Sequence, residues 1–186
     1  MKIGIVGTGN MGRILGCGWA VAGHEVFFGA RNPQAASRAA GLAHTQGAAH
    51  AFAGSNDEAA AFGDVVFFGV RNVQPDHVLA NTSVLHGKVV IDPNNWPVPQ
   101  GRFDFTPVTQ SLAEKRQAYL PRAHVVKAFN TMAQELFEMP VAARPRPAHP
   151  AASVAARRPP GGHATPSRTE QIRRRRIHSP KSGAKP

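Results

Sequence analysis

The sequence predicts an α/β fold, a doubly wound parallel sheet with helices on both faces. Three observations carry that expectation. Short apolar runs alternate with stretches of helical periodicity from residue 2 to about residue 130. The strand-like runs are continuously apolar, as strands buried on both faces are, and the first of them ends in glycines that open the first helix. Right-handed crossovers then give a doubly wound sheet and leave a ligand crevice beyond the strand C-termini.

KIGIVG (2–7) reads as a buried strand, and NMGRILGCGWAVAGH follows with Met11, Ile14, Leu15, Trp19 and Val21 to Ala22 at helical spacing, ended by Gly23. EVFFGARNP (25–33) is a second strand, closed by Asn32-Pro33, which starts an Ala-rich helix running to about His44. AAHAFAG (48–54) is a weak third strand. NDEAAAF then begins a helix with Asn56 as N-cap and acids in its first turn. DVVFFGV (64–70) is a strong fourth strand, QPDHVLANTSVL a further short helix, and GKVVIDPNNW (87–96) a fifth strand stopped by Pro93. The pair Ser111 and Glu114 forms a capping box for SLAEKRQAYLP, and AHVVKAFN (123–130) is a sixth strand.

The net charge of +11 would suggest a nucleic-acid or anionic-surface partner if it were spread over the fold. Instead, residues 1–140 hold 11 Lys and Arg against 10 Asp and Glu, while residues 141–186 hold the other 11 cations and only Glu170. That stretch has no Phe, Trp or Tyr and carries 8 of the 16 prolines. It is expected to be a disordered basic tail, because it cannot bury enough surface to offset its ordering entropy. A single cysteine, Cys17, excludes an internal disulfide. With no long apolar run and no leader-like start, the expectation is a cytoplasmic protein that does not enter membranes.

Gly7-Thr8-Gly9-Asn10-Met11-Gly12 fits G-x-G-x-x-G, a weak pattern alone. Here it leaves a strand at the start of the domain and opens a helix, so the amides of Gly9 to Gly12 are placed to face a pyrophosphate, and the sheet is expected to be of Rossmann type. An ordinary glycine turn is the alternative. At the end of the second strand, where an acid would accept from a ribose 2′-hydroxyl, the sequence has Gly29-Ala30-Arg31-Asn32. A guanidinium suits a 2′-phosphate, so NADP is expected over NAD. Six histidines between His24 and His124 show no ligand-like spacing, and no metal site is expected. Cys17, among Gly16, Gly18 and Trp19, reads as a packing residue rather than a redox thiol.

At this point GIVGTGNMG, FFGARNP, VVIDPNNW, SLAEKRQAYLP and above all VVKAFNTM resemble the coenzyme F420-dependent NADP oxidoreductase family, also called NADPH-dependent deazaflavin reductases, over about residues 1–138. The resemblance implies direct hydride transfer between NADPH and C5 of a deazaflavin, or, in divergent members, a reductase acting on another acceptor; an NADPH reductase for flavin, ferric ion or an imine is a further alternative, since related Rossmann domains serve all of these. It implies no catalytic side chain, since the two coenzymes carry the reactivity and the protein aligns them. By position, Thr8, Asn10 and Met11 would lie under the pyrophosphate and Arg31 with Asn32 would hold the 2′-phosphate. Val70 and Arg71 would flank the ribose and nicotinamide, although Arg71 departs from the small or apolar residues expected there and reads equally as a solvated charge. Asn94-Asn95 and Asn130-Thr131 follow strands five and six, where polar groups meet a nicotinamide amide or an acceptor ring, or cap a loop.

Past NTMAQELFEMP the family pattern would continue with a strand and helices that complete the acceptor side and often a homodimer contact. The sequence turns instead, near Pro140, into Arg, Pro, Ala, Gly and His, the mix of GC-rich coding read out of frame. A genuine disordered tail, or a nucleic-acid appendage built on Arg173-Arg174-Arg175-Arg176, are the other readings, the last being disfavoured because no aromatic interleaves the run. The organisation expected is an NADP-binding domain at 1–140 and a tail at 141–186. A catalytically silent NADP-binding module is the rival to an enzyme.

Overall fold

Six parallel strands form one sheet in the order β3-β2-β1-β4-β5-β6, the doubly wound order predicted. They are β1 (Lys2–Val6), β2 (Glu25–Gly29), β3 (Ala51–Gly54), β4 (Val65–Phe68), β5 (Val89–Asp92) and β6 (His124–Lys127). The helices are α1 (Asn10–Val21), α2 (Pro33–Thr45), α3 (Asn56–Phe62), α4 (Leu112–Tyr119) and the single turn α5 (Glu135–Glu138). The computed structural model describes residues 1–95 and 109–139; the basic tail at 141–186, with every expectation placed on it, lies outside the described residues.

Strand alternation splits the core in two. Ile3, Ile5, Val26, Phe28 and Phe67 face α1 and α2, where Leu15, Cys17 and the alanines of α2 meet them. Val6, Val66, Phe68 and Val90 face the opposite way, toward Ala60 of α3, Leu85, and Leu120 at the end of α4. Each of the large side chains Ile5, Phe28, Phe67 and Phe68 is fully buried, about 1.5–3 kcal/mol apiece relative to exposure. α1 stops where Gly23 turns to φ 91°, a left-handed conformation that costs glycine nothing, and its amide closes onto the Ala20 carbonyl.

Several local expectations change. The helix N-cap before α3 is Ser55, not Asn56: its hydroxyl accepts from Glu58 while the Glu58 carboxylate accepts from Ser55 N, a complete capping box. Asn56 is thereby freed, and its Oδ1 accepts from the amide of Gly7, 49 residues away. QPDHVLANTSVL forms no α-helix but two 3-10 turns, Pro75–His77 and Thr82–Leu85. Pro75 opens the first turn, and Asn81 caps the second by accepting from Ser83 N. The second and sixth strands are shorter than read, because Ala30 to Pro33 lead into α2 and Phe129 takes a positive φ of 65°. Val21 is exposed, so the buried stripe of α1 ends at Ala20.

Candidate functional site

A crevice of about 770 Å³ opens at the C-terminal ends of β1, β4, β5 and β6, where the strand order reverses beside β1. Of the twelve residues expected at a coenzyme site, Gly9, Asn10, Met11, Arg71, Asn94 and Asn130 line it. Gly7 and Thr8 in the same loop and Gly12 in the first turn of α1 adjoin these residues in sequence without lining the crevice. Val70 stands against Gly7, and Arg31 and Asn32 follow β2, one strand away from the crevice.

The loop is built for close approach from outside. Gly7 has φ 93°, and a Cβ there would come within 2.7 Å of Val70 Cγ2. A Cβ on Gly12 would run into the Gly7 carbonyl, whereas nothing lies within 4 Å of the corresponding point on Gly9. So Gly7 and Gly12 let the loop and α1 close together, and Gly9 presents bare backbone to open space. The amide of Gly7 donates both to Gly29 O at 3.0 Å and to Asn56 Oδ1 at 3.2 Å, which fastens the loop to β2 and α3. α2, α3 and α4 have side-chain N-caps in Asn32, Ser55 and Ser111, but α1 begins at Gly9 with no side-chain cap and no acid in its first turn. Its first amides and positive dipole end therefore face the crevice unspent.

Arg31 is exposed, and the two ion pairs among the described residues, Arg13–Glu138 and Arg116–Asp92, leave it out. Asn32 spends its Oδ1 on the amide of Gln34 as the cap of α2, with Pro33 at the first helical position. Arg71 is exposed in a tight turn whose next residue, Asn72, has φ 60°.

Beneath the β5 side lies a polar network that the sequence announced only in part. Asp92, fully buried, accepts at Oδ1 from the backbone and side-chain nitrogens of Asn94, at 2.9 and 2.8 Å, and at Oδ2 from Arg116 Nε at 3.0 Å. The Arg116 guanidinium lies 4.6 Å from the centre of the Phe68 ring and donates to Val73 O. One helix residue thus holds the loops that follow β4 and β5. The Asn94 amide nitrogen also donates to Phe68 O, and Oδ1 has no hydrogen-bond partner among the described residues. Across the mouth, Asn95 Nδ2 donates to Asn130 O at 2.9 Å and Asn130 Nδ2 to Asn95 Oδ1 at 3.2 Å. Lys127, register partner of Asp92, encloses its ammonium with no hydrogen-bond partner among the described residues. Burial pushes its pKa down, against the pull of Asp92 and with the push of Arg116. An acid followed by Pro-Asn-Asn at a strand end was a visible signal for Asp92; Arg116 had none, because its partner lies 24 residues away.

Cys17 is buried between α1 and α2 with Sγ donating to Ala39 O, and desolvation raises its pKa while Arg13 opposes. This is a packing thiol. His44 is more than a surface residue: its two ring nitrogens lie 2.9 Å from the carbonyls of Ala48 and Ala51, tying α2 to β3. Among the described residues no three His, Cys, Asp or Glu side chains converge as metal ligands, and no helix is long and apolar enough to cross a membrane.

Comparison with known proteins identifies the family and the fold. The family model described as NADP oxidoreductase, coenzyme F420-dependent, matches residues 2–96. The chain is 31% identical over 131 residues to the metalloreductase STEAP3 of Rattus norvegicus, covering 70% of this chain but only 25% of that protein. Among solved structures, a candidate F420-dependent NADP-reductase from Arthrobacter sp. FB24 superposes with a TM-score of 0.61 at 28% identity, over 73% of this chain and 65% of its own. A hypothetical protein from Sinorhizobium meliloti shares the fold, with a TM-score of 0.55 at 20% identity, over 75% of this chain and 65% of its own.

Proposed function

The chain belongs to the coenzyme F420-dependent NADP oxidoreductase family, and from that premise we propose that it binds NADPH along the ends of β1 and β2 and passes hydride to a deazaflavin of the coenzyme F420 type in the crevice. The observation that carries the reading is the uncapped start of α1, with bare backbone at Gly9 facing open space. The loop fits a diphosphate: the amides of Gly9 to Gly12 would hold it, with Thr8, Asn10 and Met11 around it. Arg31 would fork onto the 2′-phosphate, with Asn32 Nδ2 beside it. Val70 and Arg71 would border the ribose and nicotinamide, and Asn94 Oδ1, fixed by Asp92, would accept from the nicotinamide amide.

When bound, NADPH supplies the hydride. The chain's own work is alignment and exclusion: the crevice lining offers amides, Arg71 and the apolar Met11, Phe129 and Met132, and among the described residues its charge comes from Arg71. Two flat rings brought face to face need orientation more than acid or base groups.

Two measurements test the proposal. Calorimetric titration is expected to show saturable NADPH binding and much weaker NADH binding. Steady-state assays are expected to show NADPH oxidation coupled to loss of the deazaflavin's visible absorbance. No heat from either coenzyme overturns the reading; binding without turnover on any acceptor replaces it with a silent NADP-binding module. The similarity to a metalloreductase favours a second acceptor class, ferric ion reached directly or through flavin, and NADPH-dependent ferric reduction in the absence of deazaflavin would select it.

A further inference from the structure

Phe129 stands two residues beyond β6 and lines the crevice. Strict alternation from Val125, which packs with the Phe68 and Val90 side of the sheet, would place residue 129 on that same side. It does not go there. With φ 65° the backbone reverses, and the ring packs on the opposite side, edge-on to Trp19 of α1 at 6.0 Å and to Phe137 of α5 at 5.8 Å between ring centres. Two restraints flank the reversal: Ala128 N donates to Asp92 O, and the Asn95–Asn130 clasp closes immediately after it. A bulky residue in a left-handed conformation persists only where its surroundings over-determine it. Here they direct one aromatic ring, braced from behind by two others, into the wall of a crevice otherwise lined mostly by amides.

We infer that Phe129 is a specificity-determining residue for the hydride acceptor: its ring is the apolar wall against which a planar heteroaromatic acceptor packs, and the Asn95–Asn130 clasp is the positioning device that holds it there. The inference rests on the reading of the crevice as the acceptor site. It concerns the acceptor and not NADPH, whose proposed contacts lie at α1, Arg31 and the β4 and β5 loops.

The test is a pair of fluorescence titrations on the full chain, one with coenzyme F420 and one with NADPH, for the natural protein and for Phe129→Leu, Phe129→Tyr and Phe129→Gly. Phe129→Leu is expected to weaken F420 binding about 3- to 10-fold, the size of one ring contact, and to leave NADPH within about 2-fold. Phe129→Tyr is expected to restore it. Phe129→Gly accepts the left-handed backbone without strain and guards against misfolding; it is expected to match Phe129→Leu or fall below it. Equal F420 affinity in all four proteins overturns the inference while NADPH binding keeps the wider reading intact. Parallel loss of both ligands overturns it too, as a purely structural role. Failure of the natural chain to bind NADPH, with F420 still lost selectively on Phe129→Leu, sinks the coenzyme reading and sustains this one.

Discussion

At Arg31 a single guanidinium, exposed and outside both ion pairs, is the proposed discriminator between coenzymes. Arg31→Ala is expected to weaken NADPH by about 10- to 100-fold, from the 1.5–3 kcal/mol of a charged hydrogen bond, and to leave NADH nearly unchanged, as read by calorimetry. An equal loss for both coenzymes would remove Arg31 from the site. Arg116 plays the opposite part: its side chain is 3% exposed and that of Asp92 0%, so neither can be solvated if its partner goes. Arg116→Ala is expected to cost about 3–5 kcal/mol in urea unfolding, and Asp92→Leu combined with Arg116→Met to recover most of it, since a buried pair costs more when broken than when replaced. Lys127 gives a pH signature. Burial holds its folded pKa below the unfolded value, so the unfolded chain keeps the proton longer and stability rises as pH climbs through that window. Lys127→Met is expected to raise the melting temperature and flatten that alkaline rise.

Among the elements, α1 differs from its neighbours in what its N-terminus lacks. α3 and α4 close theirs with Ser–Glu capping boxes, which lower the pKa of Glu58 and Glu114 through hydrogen bonds from Ser55 and Ser111. A depressed folded pKa contributes stability above the ordinary glutamate range and loses it as pH falls through the folded value. Thermal melts from neutral pH into acid are therefore expected to fall less steeply for Glu58→Gln combined with Glu114→Gln than for the natural chain. Melts of parallel slope would mean the boxes do not hold the charged form. Legibility at this scale followed chemistry: Ser111 and Glu114 could be read directly because both halves of the box lie within one turn. Ser55 and Glu58 carry the same one-turn spacing, so the true cap of α3 was as legible as that of α4, and what the sequence could not show is that Asn56 reaches the distant amide of Gly7.

For the molecule as a whole, binding and stability are linked. A ligand held by loops from several strands favours the folded state, by about 2.7 kcal/mol when present at a hundred times its dissociation constant. NADPH is expected to raise the melting temperature in proportion to the logarithm of its concentration, and NADH at equal concentration to raise it less. A melt insensitive to both would contradict the proposed site. The chain spans about a quarter of the rat metalloreductase and 65% of the Arthrobacter structure.

Strand order, the glycine loop and the cation at the end of β2 could all be read from residues 1–33 and the alternation that follows, because each depends on neighbours within one turn, one strand or one crossover. The role of Arg116, the reach of Asn56 to the amide of Gly7, the clasp between Asn95 and Asn130, and the side of the sheet on which Phe129 falls were decided only by the tertiary structure. Each depends on groups brought together from opposite ends of separate strands, where distance along the chain carries no information about distance in space. Local periodicity sets which face a side chain prefers; a buried charge or a reversed backbone is settled by whatever the folded neighbours leave for it to meet.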